Sequence, residues 1–381
     1  MSTDNTLYWL ALARVEGLGV RGAHKLVEHF GSPQAAFAAP ASELERQGVA
    51  SRVAQNLSNH SAFEAAEREC EAAVKVGCTL VTHSDDDYPR LLRQTPDPPL
   101  ALYVLGDRRL LAQHAVAIVG TRRPTAYGSS VAHRLGADLA QRQLVIVSGL
   151  ARGIDSAAHR GALEAKGRTM AVLGSGADVI YPRENKSLAE RICKSGAVIS
   201  EFPLGTAPQP ENFPIRNRVI SGLALGTVIV EAAEYSGSLI TARLAAEQNR
   251  EVYAVPGNIT SPQSFGTNLL IKQGAKLVDN WMDVVEEFPA TIRSELLPRA
   301  TAAESQADAS KTQESTPLFQ PALTPDQRAV YEALRVDQAL FIDAVCGSVP
   351  LAQPRILTAL LELEMSGLVR QLPGKNFIRK L

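Results

Sequence analysis

The stretch "AIVGTRRPTAYG", residues 117–128, decides the fold and then departs from its commonest use. A short apolar run ends at Gly120, as a strand feeding a phosphate-binding turn does. A dinucleotide turn would continue G-x-G-x-x-G, leaving bare backbone for a pyrophosphate. Here Thr121, Arg122, Arg123 and Pro124 fill that space. Two guanidinium groups stand where uncovered backbone was required, so the pattern keeps the strand and rejects the dinucleotide.

Working outward, five further β-branched-rich runs share the character of residues 115–120: "LVIVSG" (144–149), "TMAVLG" (169–174), "AVIS" (197–200), "TVIVEA" (227–232) and "EVYAV" (251–255). Helix-length segments separate them. Continuous apolar strands joined by helices indicate a parallel sheet covered on both faces, and right-handed crossovers then give a doubly wound α/β domain. This domain is expected over residues 75–288.

Residues 1–74 carry apolar residues three and four apart and read as a helical module. Within it, "VEGLGVRGAHKLVEHFGS" (15–32) sets Gly17 and Gly19 before Arg21 and Lys25. The pattern fits a SAM or helix-hairpin-helix-like turn offering N–H groups to a phosphate, and equally an ordinary corner in a small bundle. Residues 289–320, including "RATAAESQADASKTQEST", lack large apolar residues and are expected to be a flexible linker. In 321–381, Thr324 is a candidate N-cap with Pro325 at the first helical position. Two more helical segments follow, then a hairpin turning at Pro373-Gly374. Three helices and a hairpin make a winged helix, a module that serves DNA or protein partners.

The chain has 381 residues, 45% hydrophobic and 21% charged, with net charge −1. Nothing global attracts a polyanion, so any such partner must meet a local patch. Cysteines 70, 78, 193 and 346 form no paired motif, which fits free thiols. No basic-then-apolar leader opens the chain, and the longest uncharged apolar run, Val219 to Val230, is short of a membrane span. A cytoplasmic protein is expected.

In an open α/β sheet, ligands bind beyond the carboxyl ends of the strands. Five loops meet there: "GTRRPTAYG", "SGLARGIDSAAH" (148–159), "GSGADVIYPRENKSL" (174–188), "SEFPLGTAPQPENFPIRNRVISGL" (200–223) and "EAAEYSGSLITA" (231–242). They gather Arg122, Arg123, Arg152, Arg183, Lys186, Arg216 and Arg218 among glycines and serines. Gly149 and Gly153 free backbone at a helix start, with Asp155 as the natural N-cap. Ser236, Gly237 and Ser238 form a similar donor-rich turn. Ser148 stands where an NAD site would need an acidic residue. No P-loop, zinc pattern or nucleophile elbow is present, so no cofactor and no metal are expected. Single-stranded nucleic acid suits the array, because it needs a basic track and faces for splayed bases. Tyr127, Tyr181 and Phe213 supply rings, and Asn217 between two arginines could read a base edge or a sugar. For each of Phe213, Arg216 and Arg218, internal packing or ion pairing is the equal alternative.

Six ordered motifs carry a family resemblance. "GTRRPTAYG", "SGLARGIDSAAH", "GSGADVIYPREN", "NFPIRNRVISGL", "EAAEYSGSLITA" and "AVPGNITSPQSFGTNLLIKQGA" together resemble the bacterial DNA-processing protein A family, DprA, also called Smf. The resemblance is dense over roughly residues 80–280. It implies an extended Rossmann-like domain that dimerises, and a protein that is not an enzyme. Such a protein binds and protects incoming single-stranded DNA in natural transformation and helps load the recombinase RecA. Carried over by motif, the family's basic pocket falls on Arg122 in the G-T-R turn (Gly120, Thr121), on Arg152 in the loop holding Ser148, Gly149 and Gly153, and around Arg183 and Lys186. Phe213, Arg216, Asn217 and Arg218 are added on chemical grounds.

Two other classes share parts of this pattern. Nucleoside-monophosphate phosphoribohydrolases share such a sheet, but their Gly-rich turn carries a nearby catalytic glutamate. After "YSGSLITA" no carboxylate follows until Glu247. A duplex-reading transcription factor would need a dense basic face on its terminal helices, which this chain lacks.

Overall fold

The computed structural model describes residues 3–296, 323–335, 339–372 and 374–379. Six helices come first: α1 (Thr3–Ala13), α2 (Gly19–Phe30), α3 (Pro33–Ala38), α4 (Ala41–Arg46), α5 (Ser51–Ser58) and α6 (Phe63–Lys75). Their apolar faces close on a core around Trp9, Phe37, Leu44 and Leu57, as the three-and-four spacing requires. Gly17 and Gly19, with φ of 85° and 67°, make the turn into α2.

The chain then enters a nine-stranded sheet. In order come β1 (Thr79–Thr82), α7 (Arg90–Arg93), β2 (Ala101–Gly106), β3 (Ala115–Val119), α8 (Ala126–Gln141), β4 (Val145–Ser148), α9 (Ile154–Glu164), β5 (Thr169–Val172), α10 (Lys186–Ser195), β6 (Ala197–Ser200) and α11 (Asn212–Leu223). β7 (Gly226–Ile229), α12 (Gly237–Glu247), β8 (Glu251–Ala254), α13 (Phe265–Lys272), β9 (Lys276–Leu277) and α14 (Trp281–Val285) complete it. The six expected strands are β3 to β8, all parallel, in the spatial order β6-β5-β4-β3-β7-β8. β3 to β7 are buried along their whole length, which is why they read as unbroken apolar runs. β9 extends one edge in parallel, and β2 and β1 extend the other antiparallel. This is an extended Rossmann-like α/β fold. From β3 the chain steps outward to β6 on one side, and from β7 outward to β9 on the other. The direction reverses between β3 and β7, and a crevice opens there beyond the strand ends.

Close helix packing sharpens the positions of the loops. A side chain at Gly161 on α9 would meet the His133 carbonyl of α8 at 1.9 Å. Glycine lets the two backbones touch, which seats α9 and the loop before it against the sheet.

α15 (Ala290–Leu296) occupies the start of the segment expected to be linker, and the remainder of that segment lies outside the described residues. The C-terminal elements are α16 (Pro325–Ala333), β10 (Leu340–Phe341), α17 (Ile342–Ser348), α18 (Gln353–Met365), β11 (Val369–Leu372) and β12 (Asn376–Arg379). Thr324 and Gln327 form a capping box with Pro325 in the first turn. The strands pair in the order β10-β12-β11, completing a winged helix. In the expected hairpin turn, Gly374 has φ of 79°, while Pro373 lies outside the described residues. The outward face of α18 carries Leu357, Leu361 and Met365 at four-residue spacing. Its Arg355 is forked onto Asp326 at 2.7 Å. The helical module and the large sheet form one compact unit, and the winged helix belongs to a second. Among the described residues, no single helix is long and apolar enough to cross a membrane.

Candidate nucleic-acid interface

The crevice at the switch point has a volume of about 970 Å³. The β3 loop enters it through Thr121, Arg122 and Arg123, the α11 segment through Phe213, Arg216 and Asn217, and the β7 loop through Glu234 to Ser238. A smaller recess beside it is walled by Arg122, Gly149, Arg152, Tyr181 and Phe213.

In the turn after β3, packing and internal hydrogen bonds take up much of the backbone. A side chain at Gly120 would meet Ile154 at 2.7 Å and the Glu231 carbonyl at 2.9 Å, so glycine there permits packing between β3, α9 and the β7 loop. The Thr121 N–H donates to the Glu231 carbonyl at 2.7 Å, and the Thr121 hydroxyl accepts from Arg123 N at 3.2 Å. What the turn offers outward is side chains. Arg122 is exposed, and its guanidinium carbon lies 5.5 Å from the Phe213 ring centroid, in cation–π range. Tyr181 sits 5.8 Å from the same ring. Charge and aromatic faces therefore converge.

The second loop corrects the expected capping. Gly153, at φ 76°, is the N-cap of α9, and Asp155 lies inside the first turn. The Asp155 carboxylate reaches back to accept from the N–H groups of Gly149 at 3.1 Å and Ala151 at 3.3 Å. The donors expected to face a phosphate already hold an anion of the chain itself. Burial raises the Asp155 pKa, against the pull of Arg216 and of those two N–H groups.

Arg216 is the leading favourable charge acting on that buried carboxyl, and its burial is the internal placement that stood as the equal alternative to an exposed track. Its guanidinium is buried, donating to the Gly149 carbonyl at 2.8 Å and to the Val172 carbonyl. A side chain at Gly149 would lie 2.7 Å from its terminal nitrogens, so the bare glycine makes room for it. Burial pushes its pKa down to about 10. Only its edge lines the crevice, against Phe213, with Asn217 accepting from its Nε at 3.2 Å. Arg218 departs further. It does not line the crevice but is buried against Asp97 and Glu201, donating to the Asp97 carbonyl and the Glu201 carboxylate. Two arginines two positions apart on a helix do not face the same way, and α11 turns the second toward the sheet's antiparallel edge. Burial lifts Glu201 to about 7 despite that partner.

Arg152 remains exposed, but Glu184 is forked onto it at 2.6 and 2.7 Å. Arg183 and Lys186 are exposed beside it without lining either recess. Ser148 is fully buried and donates to the Ile118 carbonyl at 2.6 Å, which fixes the end of β4 beside β3. The structure adds Asn185, whose amide donates to the Leu150 carbonyl at 2.8 Å and to Ser156 Oγ at 2.9 Å, tying the third loop to the second. It also adds Glu231 and Glu234 just before the fifth-loop turn, with Glu234 lining the crevice. An aromatic, Tyr235, stands beside them in a Gly/Ser-rich loop, the one signal by which the sequence could have marked this wall.

Comparison with known proteins agrees with this architecture. The model of the DNA recombination-mediator protein A family matches residues 79–289, and that of the DprA winged helix domain matches residues 313–375. The chain is similar to the DNA processing protein DprA of Bacillus subtilis, 46% identical over 214 residues, covering 56% of this chain and 72% of that one. It is similar in structure to DNA processing protein A from Streptococcus pneumoniae, with TM-score 0.63 and 35% identity over 74% of this chain and 98% of that one. It is also similar to DNA processing protein A from Helicobacter pylori, described for its single-stranded DNA binding mode, with TM-score 0.51 and 32% identity over 57% of this chain and 98% of that one. With the winged helix matched as well as the sheet, the chain belongs to the DNA recombination-mediator protein A family of DNA-processing proteins.

Proposed function

We propose that this protein binds single-stranded DNA in the switch-point crevice, protects it and presents it to RecA, acting as a homodimer in the cytoplasm and not as an enzyme. The observation that carries the reading is the convergence of exposed Arg122 and Arg152 with Phe213 and Tyr181 on one recess. Phosphates require the first pair and unstacked bases the second. The H. pylori relative supports the ligand class, and family membership supports the recombination role. Gly120, Thr121, Ser148, Gly149, Gly153 and Arg216 act in this reading as the frame behind the contacts, with Arg183, Lys186 and Asn217 at their margin.

Titration of a fluorescent oligothymidine against ionic strength tests it. For about four to six neutralised phosphates, log K is expected to fall against log salt with a slope of roughly −3 to −4, at about −0.7 per phosphate. A flat salt response or a preference for duplex overturns it. Light scattering of the full chain at micromolar concentration is expected to report a dimer. Glu234 in the crevice gives the phosphoribohydrolase reading its one supporting group; release of ribose 5-phosphate from AMP would establish that reading, and none is expected.

The Arg152–Glu184 fork has a consequence for affinity. A phosphate reaching Arg152 must displace a carboxylate that already presents two oxygens to the same donors. Arg152→Ala is therefore expected to weaken binding only a few-fold, with Arg152→Lys between it and wild type because lysine keeps the charge without the fork. Glu184→Gln is expected to tighten binding. Equal melting temperatures for these variants are expected, since exposed pairs contribute little to stability; a large drop in melting temperature with intact affinity would assign the pair a structural role instead.

A further inference from the structure

The crevice is divided by charge. One side holds Arg122 and Arg123 of the β3 loop and the edge of Arg216 from α11, with Asp155 behind them, whereas the wall built by the β7 loop and the segment before α13 contributes no lysine or arginine to the lining. That wall presents Glu234, Tyr235, Ser236, Ser238, Gln263 and Phe265. A strand whose phosphates lie on the arginines cannot place phosphates against Glu234, so what faces this wall is uncharged.

Two observations narrow the occupant. Tyr235 is 92% exposed and Phe265 is 48% exposed, an unusual display of aromatic surface in a chain with 5% aromatic residues. Gln263, on the same wall, has its side-chain Oε1 buried with no hydrogen-bond partner among the described residues. Exposed aromatic faces on a wall that also carries an amide acceptor suit a nucleobase, which stacks on a ring and donates from its edge. A phosphodiester offers neither a stacking face nor a donor.

From this juxtaposition we propose that the β7-loop wall is a base-binding half-site: one unstacked nucleobase lies on Tyr235, with the Gln263 amide at its edge, while the adjoining phosphates are held across the crevice at Arg122. The inference rests on the single-stranded DNA reading above and adds to it which part of the nucleotide each wall takes. It also implies that the aromatic contacts do not end at Phe213, so the bound strand crosses the crevice instead of following one side of it.

The test uses the full chain and two labelled oligomers of equal length, one of thymidine and one of abasic deoxyribose phosphate. Tyr235→Ala is expected to weaken thymidine binding by about five- to a hundredfold, the scale of one base–aromatic stack. Tyr235→Phe is expected to bind as wild type does. The alanine penalty is expected to vanish on the abasic oligomer, while Arg122→Ala weakens binding to both. The ring's exposure means that neither tyrosine variant threatens the fold. Wild-type thymidine affinity in Tyr235→Ala, alongside a weakened Arg122→Ala, overturns the half-site but leaves the DNA reading standing. Equal losses on both oligomers overturn it too, as does a loss that tracks a change in light-scattering mass, which would give the ring to self-association. If Arg122→Ala binds both oligomers normally, the reading beneath the half-site fails and the half-site fails with it.

Discussion

Arg216→Ala is expected to unfold the sheet-bearing unit far more readily than wild type, lowering its stability by about 3–5 kcal/mol, since its buried guanidinium serves two carbonyls and each buried group left unsatisfied costs about 1–3 kcal/mol. The reason lies in what the guanidinium leaves behind. Asp155 is buried and keeps its carboxylate against Gly149 and Ala151, with Arg216 as the leading favourable charge. The carbonyls of Gly149 and Val172 also lose a donor. Alanine adds a cavity behind Gly149. For a unit of this size the loss corresponds to a fall in melting temperature of roughly 6–20 °C. Thermal melts check it, and a second variant separates charge from volume. Placing Asp155→Asn in the Arg216→Leu background removes both charges and is expected to recover part of the loss. A wild-type melting temperature with lost DNA affinity would make Arg216 a contact residue instead of part of the frame.

Arg122→Ala is expected to weaken single-stranded DNA binding by roughly tenfold to a hundredfold, the loss of one charge-assisted contact worth about 1.5–3 kcal/mol. Unlike Arg152, it has no carboxylate forked onto it among the described residues, and its guanidinium lies over the Phe213 face. Its whole donor set is therefore available, and its removal also strips a cation from the ring on which a base would stack. Arg122→Lys is expected to fall between, keeping charge but losing the planar fork. The melting temperature is expected to stay within about 1 °C of wild type because the side chain is exposed. Anisotropy titrations at fixed salt measure the effect. Unchanged affinity would remove the turn after β3 from the proposed interface.

The parallel sheet was legible in the sequence because of where its strands lie. A strand covered on both faces must be apolar at every position, so β3 to β7 announce themselves without any periodicity to decode. Sequence also carried the capping of α16 at Thr324, since a capping box is satisfied within four residues. The edges were less legible. β1, β2 and β9 escaped because β2 pairs antiparallel with β6, remote in sequence, β1 joins the sheet only through β2, and β9 is two residues long. No local pattern fixes such pairings.

The loop residues divide in the same way. Sequence by itself determined that arginines, glycines and aromatic rings would gather beyond the strand ends, because strand order and right-handed crossovers send every such loop to one edge. It could not determine which arginine meets the ligand. Arg122, Arg152, Arg216 and Arg218 are chemically identical, and their roles differ only by what the fold sets beside them. Arg122 faces an aromatic ring, Arg152 faces Glu184, Arg216 faces buried Asp155, and Arg218 faces Asp97 and Glu201. Those carboxylates lie 17 to 121 positions away along the chain, and only tertiary packing decides which charge is desolvated and paired and which is left to solvent.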